Sequence, residues 1–414
     1  MAANTLSTFA GALKEVTAQD GINDTLNNSN VLFAQLEAGN KKKFEFGKYG
    51  IMSLLTARGG IASFVDPGTM TLPTGAANSP QQAQVYAKYV LGNASITDSL
   101  LTQAMTNEAT FKDALQTAKD GAIMTIKKTL TSSFYSNQKG FLSGFSTTTV
   151  SGTSGARIFT VDNVNAFFVG QLIDCVTSAG VDITNGTDLT ISKVDKKNNQ
   201  ITTDATTSPT LVSGAKVVNA NSYNLAIAGL DYNLNDTDGD ESSWFGITRA
   251  SYPTINIDFF GGSSTTSKET LTELMLMEAC DYPEEIGSGG APDISLWDYD
   301  LLRYYTEVLA KNKIFNSTTL NGGYEAITFN NRGKKLSLVP DTHCTKGYIY
   351  ILNSKSWKLF QSSGLDYLNV NSAGDIMRLN STYANYEFYP KYYANLGTVN
   401  PRMNSVIRHV QPAA

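Results

Sequence analysis

Residues 95–140, SITDSLLTQAMTNEATFKDALQTAKDGAIMTIKKTLTSSFYSNQKG, constrain the fold more than any other stretch. Leu100, Ala104, Phe111, Leu115, Ala118, Ala122, Ile126 and Leu130 recur near helical period, with Ser95 and Asp98 in capping-box spacing before them. Some 40 residues at ~1.5 Å each predict a rod of ~60 Å, about three times an ordinary helix, and such a rod braces something wide. Gly121 in its interior costs ~1 kcal/mol relative to alanine, so a bend is expected there.

Composition changes sharply on both sides of the rod. Residues 141–223 turn to Thr, Val, Ser and Gly, with alternating runs such as ARIFTVD, GQLIDCVTS and DLTISKVD. They predict an inserted all-β domain, a small barrel or sandwich, with Lys196 to Asn199 (KKNN) as a hairpin turn and Cys175 buried in a strand. Before the rod, the strand-like runs KFEFGKYGI and AQVYAKYVL bracket a middle rich in Gly, Pro, Ala and Ser. That is a long excursion returning near its origin, and a loop of this size is expected to rest on a partner. The Asn-rich residues 1–40 suit an arm lying on other surfaces.

Beyond residue 223 an acidic loop is followed by two helix signals, Thr266 with Glu269 before LTELMLMEA and Ser295 with Asp298 before LLRYYTEVLA. The remaining Tyr- and Asn-rich chain alternates short strands with turns and lacks a βαβ rhythm, so the fold class is α+β.

Reactive chemistry has little to draw on. The chain holds only His343 and His409, with Cys175, Cys280 and Cys344. His343 and Cys344 are sequence neighbours whose side chains point apart in an extended chain, which is poor geometry for a thiol–imidazole pair. No close cysteine pair suits structural zinc, and LDYNLNDTDGDES puts Asp236 and Ser242 where a calcium loop needs glycine and glutamate. No phosphate-cradling loop, serine elbow or HExxH occurs, so neither an enzyme nor a cofactor nor a metal site is expected. A net charge of −5 argues against tight electrostatic binding of nucleic acid, and no span reaches membrane length. The N-terminus has no positive n-region, so no signal peptide is expected, and three spaced cysteines fit a reducing cytoplasm.

Two stretches resemble the major capsid proteins of tailed bacteriophages, the Hong Kong 97-type shell fold. In GLDYNLNDTDGDESSWFGITRASYP, Gly229, Leu230, Phe245, Gly246, Ile247, Arg249 and Pro253 fill the family's pattern. In FNNRGKKLSLVPDTHCTKGYIYILN and the Ser-x-x-Trp after it, Phe329, Gly333, Pro340, Asp341, Cys344, Gly347, Tyr350, Leu352, Asn353 and Trp357 do so. The order of elements is similar as well. The resemblance implies an N-terminal arm (1–40), an extension loop with flanking strands (41–94), a spine helix (95–140), the inserted β domain (141–223), a peripheral-domain segment (224–260), an axial domain (261–395) and a C-terminal peripheral-domain strand (396–414).

It further implies a chain that self-assembles into pentamers and hexamers of an icosahedral shell around double-stranded DNA, bound without sequence specificity. Phe64, Met70 and Leu72 of the extension loop would be assembly contacts. Scaffolding, decoration and portal proteins are the further partners the family allows. The expected place is the virion capsid after synthesis in the host bacterial cytoplasm, with no membrane partner. The competing reading is a β-rich carbohydrate-binding or adhesive protein, suggested by the Thr/Asn/Gly-rich insertion and the many tyrosines.

Overall fold

The long helical pattern opens on a strand, and among the described residues it is helical at residues 98–99 and over Glu108–Ser133. The computed structural model describes residues 32, 41–44, 49–57, 59, 75, 77–99, 108–236, 242–264, 267–286, 290–310, 316–319, 325–331, 333–368, 378–380 and 383–412. Within it, Ala94–Thr97 is a strand paired antiparallel with Asn385–Phe388, and helix α1 runs Glu108–Ser133. The helix expected over residues 95–140 is therefore corrected. Ser95 lies in that strand opposite Glu387, and Ile96 is buried in a sheet whose partner strand lies far away in sequence. At ~1.5 Å per residue the 26 residues of α1 span ~39 Å. The helix continues through Gly121, whose carbonyl accepts from Thr125 Oγ1 at 2.9 Å.

Among the described residues the chain forms two compact units: those within 88–131 and 361–394 make one, and those within 30–87, 132–360 and 395–412 the other. In the first, Ala94–Thr97, Asn385–Phe388 and Arg378–Leu379 make a three-stranded sheet, and Lys88–Leu91 pairs with residues 391–394. Gly92 sits against Ile126 of α1 and donates its N–H to Pro390 O at 2.9 Å. A Cβ there would meet Ile126 at 3.0 Å, so strand and helix touch through a glycine.

The second unit contains the β insertion, a seven-stranded sheet in the order Phe141–Gly144, Lys216–Asn219, Leu172–Val176, Leu189–Asp195, Gln200–Thr203, Ala156–Thr160, Ser151–Thr153. A bridge between Phe145 and Val161 joins the first strand to the sixth, closing a small barrel around Phe159, Ile173, Cys175, Ile191, Ile201 and Val217. In the turn at 196–199, Asp195 Oδ1 accepts from the N–H groups of Lys197 and Asn198, and Asn199 takes φ 51°.

The barrel begins and ends at one place: Asn224 N–H donates to Lys139 O at 3.1 Å. Residues 139–224, expressed alone, are expected to fold, giving dispersed amide resonances and a cooperative melt. An unfolded spectrum would show that the barrel depends on the rest of the chain.

A second seven-stranded sheet runs Phe259–Gly261, Ser405–Arg408, Ile349–Leu352, Ile294–Trp297, Lys334–Pro340, Glu325–Asn331, Asn316–Thr319. Helices α3 (Glu273–Glu285) and α4 (Tyr299–Ala310) contribute Leu276, Ala279, Leu301 and Tyr305 to its core with Trp297, Leu338, Ile351 and Ile407. Both expected helix starts move. Thr272 caps α3, its Oγ1 accepting from Met275 N–H, and Glu269–Thr270 is a strand beside Val410–Gln411. Ser295 lies inside the central strand, where its Oγ accepts from Trp297 Nε1. Asp298 begins α4, its carbonyl accepting from Leu302 N–H.

Residues 396–414, expected in the peripheral domain, place Ser405–Arg408 within this sheet, parallel to Phe259–Gly261 and antiparallel to Ile349–Leu352. Of the expected axial span 261–395, the described residues within 361–394 fall in the first unit and the others in the second. Pairings between strands far apart in sequence leave no local signature, so alternation alone could not assign them.

Candidate functional site

The two motif stretches identified in the sequence meet in the second unit. The first forms a short helix, α2 (Leu230–Asn233), and a hairpin, Ser243–Trp244 with Ile247–Thr248. Its turn has φ 45° at Phe245 and φ 90° at Gly246, so both positions are left-handed, as a two-residue turn of this twist requires. Gly246 adopts that conformation freely. Phe245 does so at ~1–2 kcal/mol, offset by burying its ring against Tyr232 and Trp244 at 5.0 and 5.5 Å.

Arg249 is wholly buried. Its Nη1 donates to Asn235 O (3.1 Å), Ile255 O (3.3 Å) and Asn256 Oδ1 (3.4 Å), and its Nη2 to Tyr232 O (2.7 Å). A planar guanidinium can serve carbonyls lying in several directions, which an ammonium cannot match. Pro253 opens the 3-10 turn Pro253–Ile255, and its carbonyl accepts from Arg402 Nη2.

The second stretch closes the far side. Gly333 (φ 85°) turns between Glu325–Asn331 and Lys334–Pro340. Pro340 ends its strand, and Asp341 shapes the following loop: its Oδ1 accepts from His343 N–H at 2.9 Å and its carbonyl from Cys344 N–H at 3.2 Å. Gly347 (φ 79°) donates its N–H to Asp298 Oδ2 and accepts from Val410 N–H. Tyr350 is buried and its hydroxyl donates to Asp231 Oδ1 at 2.6 Å, tying the second stretch to the first. Trp357 donates from Nε1 to Asn404 Oδ1 at 2.9 Å, the oxygen that also receives Asn353 N–H.

This constellation ties strands distant in sequence together. Burial pushes the Cys175 and Cys280 thiols up to about 12, and Cys344 is raised by burial and then by the Asp341 carboxylate. A thiol-specific reagent at about pH 8 should leave all three cysteines unlabelled in the folded chain while labelling them in denaturant. Rapid native labelling of Cys344 would reopen the question of a reactive thiol. Among the described residues, no group of His, Cys, Asp or Glu is arranged to hold a metal ion, and no helix is long and apolar enough to cross a membrane.

The sequence pointed to Phe64, Met70 and Leu72 as contact residues, and all three lie outside the described residues. The root of their hairpin is described. Tyr49–Ala57 pairs with Ser79–Tyr86, and neither strand carries a charged residue. On one face Met52, Ala83 and Val85 are buried with Ala228, Trp244, Phe245 and Phe360, while Leu55 and Tyr86, about half exposed, are turned to solvent.

Three polar contacts fix this root. Gln84 N–H donates to Phe245 O, Asn395 Nδ2 donates to Tyr86 O, and Asn395 Oδ1 accepts from Ala228 N–H. Asn233 joins the same joint, accepting from Trp244 Nε1 and donating to Ala228 O and Gly229 O. Asn233 and Asn395 were not legible in the sequence, since Asn is abundant everywhere in this chain and nothing local marks these two.

The insertion's exposed large hydrophobic side chains, among the described residues, are the aliphatic Val169, Leu172, Val181 and Val212. Its most exposed apolar surface is thus not the aromatic platform on which sugars stack.

Taken as a whole, the architecture is a capsid fold. The chain of the Cyanophage A-1(L) capsid asymmetric unit shares it with a TM-score of 0.52 at 14% identity, over 95% of this chain and 97% of that one. The capsid of the native GTA particle matches at TM-score 0.47 and 8% identity (95% and 94% covered), and Mycobacterium phage Bobi at 0.44 and 9% (99% and 99%). No family model matches the sequence, and no curated protein does.

Proposed function

We propose that this chain is the major capsid protein of a tailed bacteriophage, with the Hong Kong 97-type arrangement of arm, extension loop, spine helix, peripheral and axial domains. The likeness to the cyanophage capsid chain, over nearly the full length of both, carries the reading. The uncharged hairpin supports it: one face is used internally, and the other has the composition of an interface core, where charge is depleted and aromatics are enriched. A two-stranded ribbon is marginal in water alone, so its outer face and tip, with Phe64, Met70 and Leu72, rest on a neighbouring copy.

Pentamers and hexamers then build an icosahedral shell enclosing double-stranded DNA, with many modest contacts adding through multivalency. Synthesis takes place in the host cytoplasm, and scaffolding, decoration and portal proteins are the natural further partners. No enzymatic step is assigned.

Electron microscopy of the chain after gel filtration, alone and with any neighbouring scaffolding protein co-expressed, is expected to show uniform hollow shells or rings of subunits. A clean monomer under both conditions contradicts the proposal. Removal of residues 60–76 should leave a folded chain with an unchanged melt that no longer forms shells. The cut must stop before Ser79, because Ala83 and Val85 belong to the core. Normal shells from the trimmed chain would refute the role given to the loop.

A further inference from the structure

The hairpin root contains two buried glycines, Gly50 and Gly397, that no backbone conformation requires. Neither has a positive φ, so any residue could adopt either backbone shape, and only space calls for glycine. A Cβ at Gly50 would lie 2.3 Å from Cδ1 and 2.5 Å from Cε1 of Phe360. One at Gly397 would lie 2.9 Å from Cε of Met52 and 3.3 Å from Cε2 of Phe360. The wholly buried Phe360 ring thus rests against the bare backbone of Gly50 along one edge and approaches Gly397 with the other. Met52, two residues beyond Gly50 and so on the same face of the strand, packs against Gly397 beside it.

The second strand is held by hydrogen bonds. Gln84 N–H donates to Phe245 O at 3.1 Å, and Tyr86 O accepts from Asn395 Nδ2 at 2.7 Å. Farther along, the register slips between Leu55 and Ala57, and the buried Thr56 donates from Oγ1 to Ser79 O at 2.7 Å, which holds the bulge in place. A two-stranded ribbon twists more than a wide sheet and has little stability of its own, so its direction is set by what grips its base.

We propose that Gly50, Gly397 and Phe360 are positioning residues for assembly: the ring seated between the two glycines fixes the direction in which the hairpin leaves the body, and that direction decides whether copies close into shells of one size. The role in shells rests on the capsid reading, whereas the seat is a property of the single chain. Carbon atoms pack at ~3.5–4.0 Å, so a methyl at Gly50 must lift the strand or displace the ring by ~1–1.5 Å, in an interior too dense to absorb the change locally. Over the ~14 Å from Gly50 to Leu54 that tilts the ribbon by ~5°, and each residue farther out moves in proportion. Copies in a closed shell repeat one contact many times, so an angular error at that contact accumulates and closure fails.

Gly50→Ala, Gly397→Ala and the double variant Gly50→Ala with Phe360→Leu, in which a smaller side chain makes room for the methyl, test this against the wild-type full chain. Shell diameter is read by electron microscopy under the assembly conditions above. In the unassembled chain, the distance between spin labels at Leu55→Cys and Leu274→Cys is measured, both sites being exposed and the native cysteines buried. Gly50→Ala should shift or broaden that distance by ~1–2 Å and give shells of mixed diameter or none. Gly397→Ala should do the same to a lesser degree, and the double variant should return toward the wild type in both readouts. Wild-type shells from both single variants overturn the proposal, whether or not the melt is lowered, and so does an unchanged label distance. If Gly50→Ala does not fold, Gly397→Ala decides by the same two readouts. Absence of shells from the wild type counts against the capsid reading, and the label distance then decides the seat by itself.

Discussion

Gly229→Ala should be among the most destabilising single substitutions in this chain. A Cβ at that position would lie 2.3 Å from Ser136 O, 2.5 Å from Ser133 O and 2.6 Å from Phe134 O, all backbone atoms at the end of α1. None of these can rotate away, so the end of the helix must separate from the segment that follows Gly229. Separation breaks the bond from Leu230 N–H to Phe134 O and uncovers Leu230, which is wholly buried. A hydrogen bond at ~1 kcal/mol and partial loss of a leucine's burial at ~2–3 kcal/mol set the cost at ~3–4 kcal/mol, a large share of a domain's stability. Gly121→Ala is the matched control: it stands on the exposed side of α1 with nothing within 4 Å of its added methyl, and should gain ~0.5–1 kcal/mol. Denaturant titrations of the two variants should move in opposite directions. A Gly229→Ala midpoint equal to wild type would mean that the helix end is not docked as described.

Arg249→Met should do comparable damage for a different reason. Methionine fills much of the volume but donates nothing, so Tyr232 O, Ile255 O and Asn256 Oδ1 lose this donor in a buried place, while Asn235 O keeps the N–H of Ile257. At ~1–3 kcal/mol for each acceptor stranded, the loss exceeds ~3 kcal/mol even with partial relaxation. Arg249→Lys keeps the charge without the fork, so the order of stability should be Arg, then Lys, then Met. Because Asn256 both receives from this guanidinium and donates back to Arg249 O, Asn256→Ala combined with Arg249→Met should cost less than the sum of the two alone. A thermal melt of Arg249→Met within experimental error of the wild type would contradict this account.

The motif residues were singled out through the family resemblance, and the structure gives several of them demanding conformations. Gly246, Gly333 and Gly347 all take positive φ, and Asp341 makes a turn through its own side chain. The barrel was legible in the sequence itself, its short alternating runs being separated by Asn and Gly turns. The start of the long helix was not. ASIT satisfies a capping pattern and a strand pattern equally, and only the distant partner Asn385–Phe388 decides between them. The same holds for Ser405–Arg408, whose two neighbours in the sheet lie elsewhere in the chain. Local propensity describes a segment well where its partners are near and fails where long-range pairing overrides it. The asparagines at the hairpin root show a further limit: composition made Asn common, so the few that bear structure could not be told from the many that do not.

The meeting of Lys139 and Asn224 has a consequence for how such a chain can change over generations. Because the polypeptide leaves and re-enters the frame through one doorway, whatever lies beyond that doorway can lengthen, shrink or be exchanged by recombination without shifting the frame. Lineages can therefore diversify this appendage quickly while the frame stays under tight geometric control. The same doorway is a natural graft point at which a foreign domain with adjacent termini could be carried in place of the barrel.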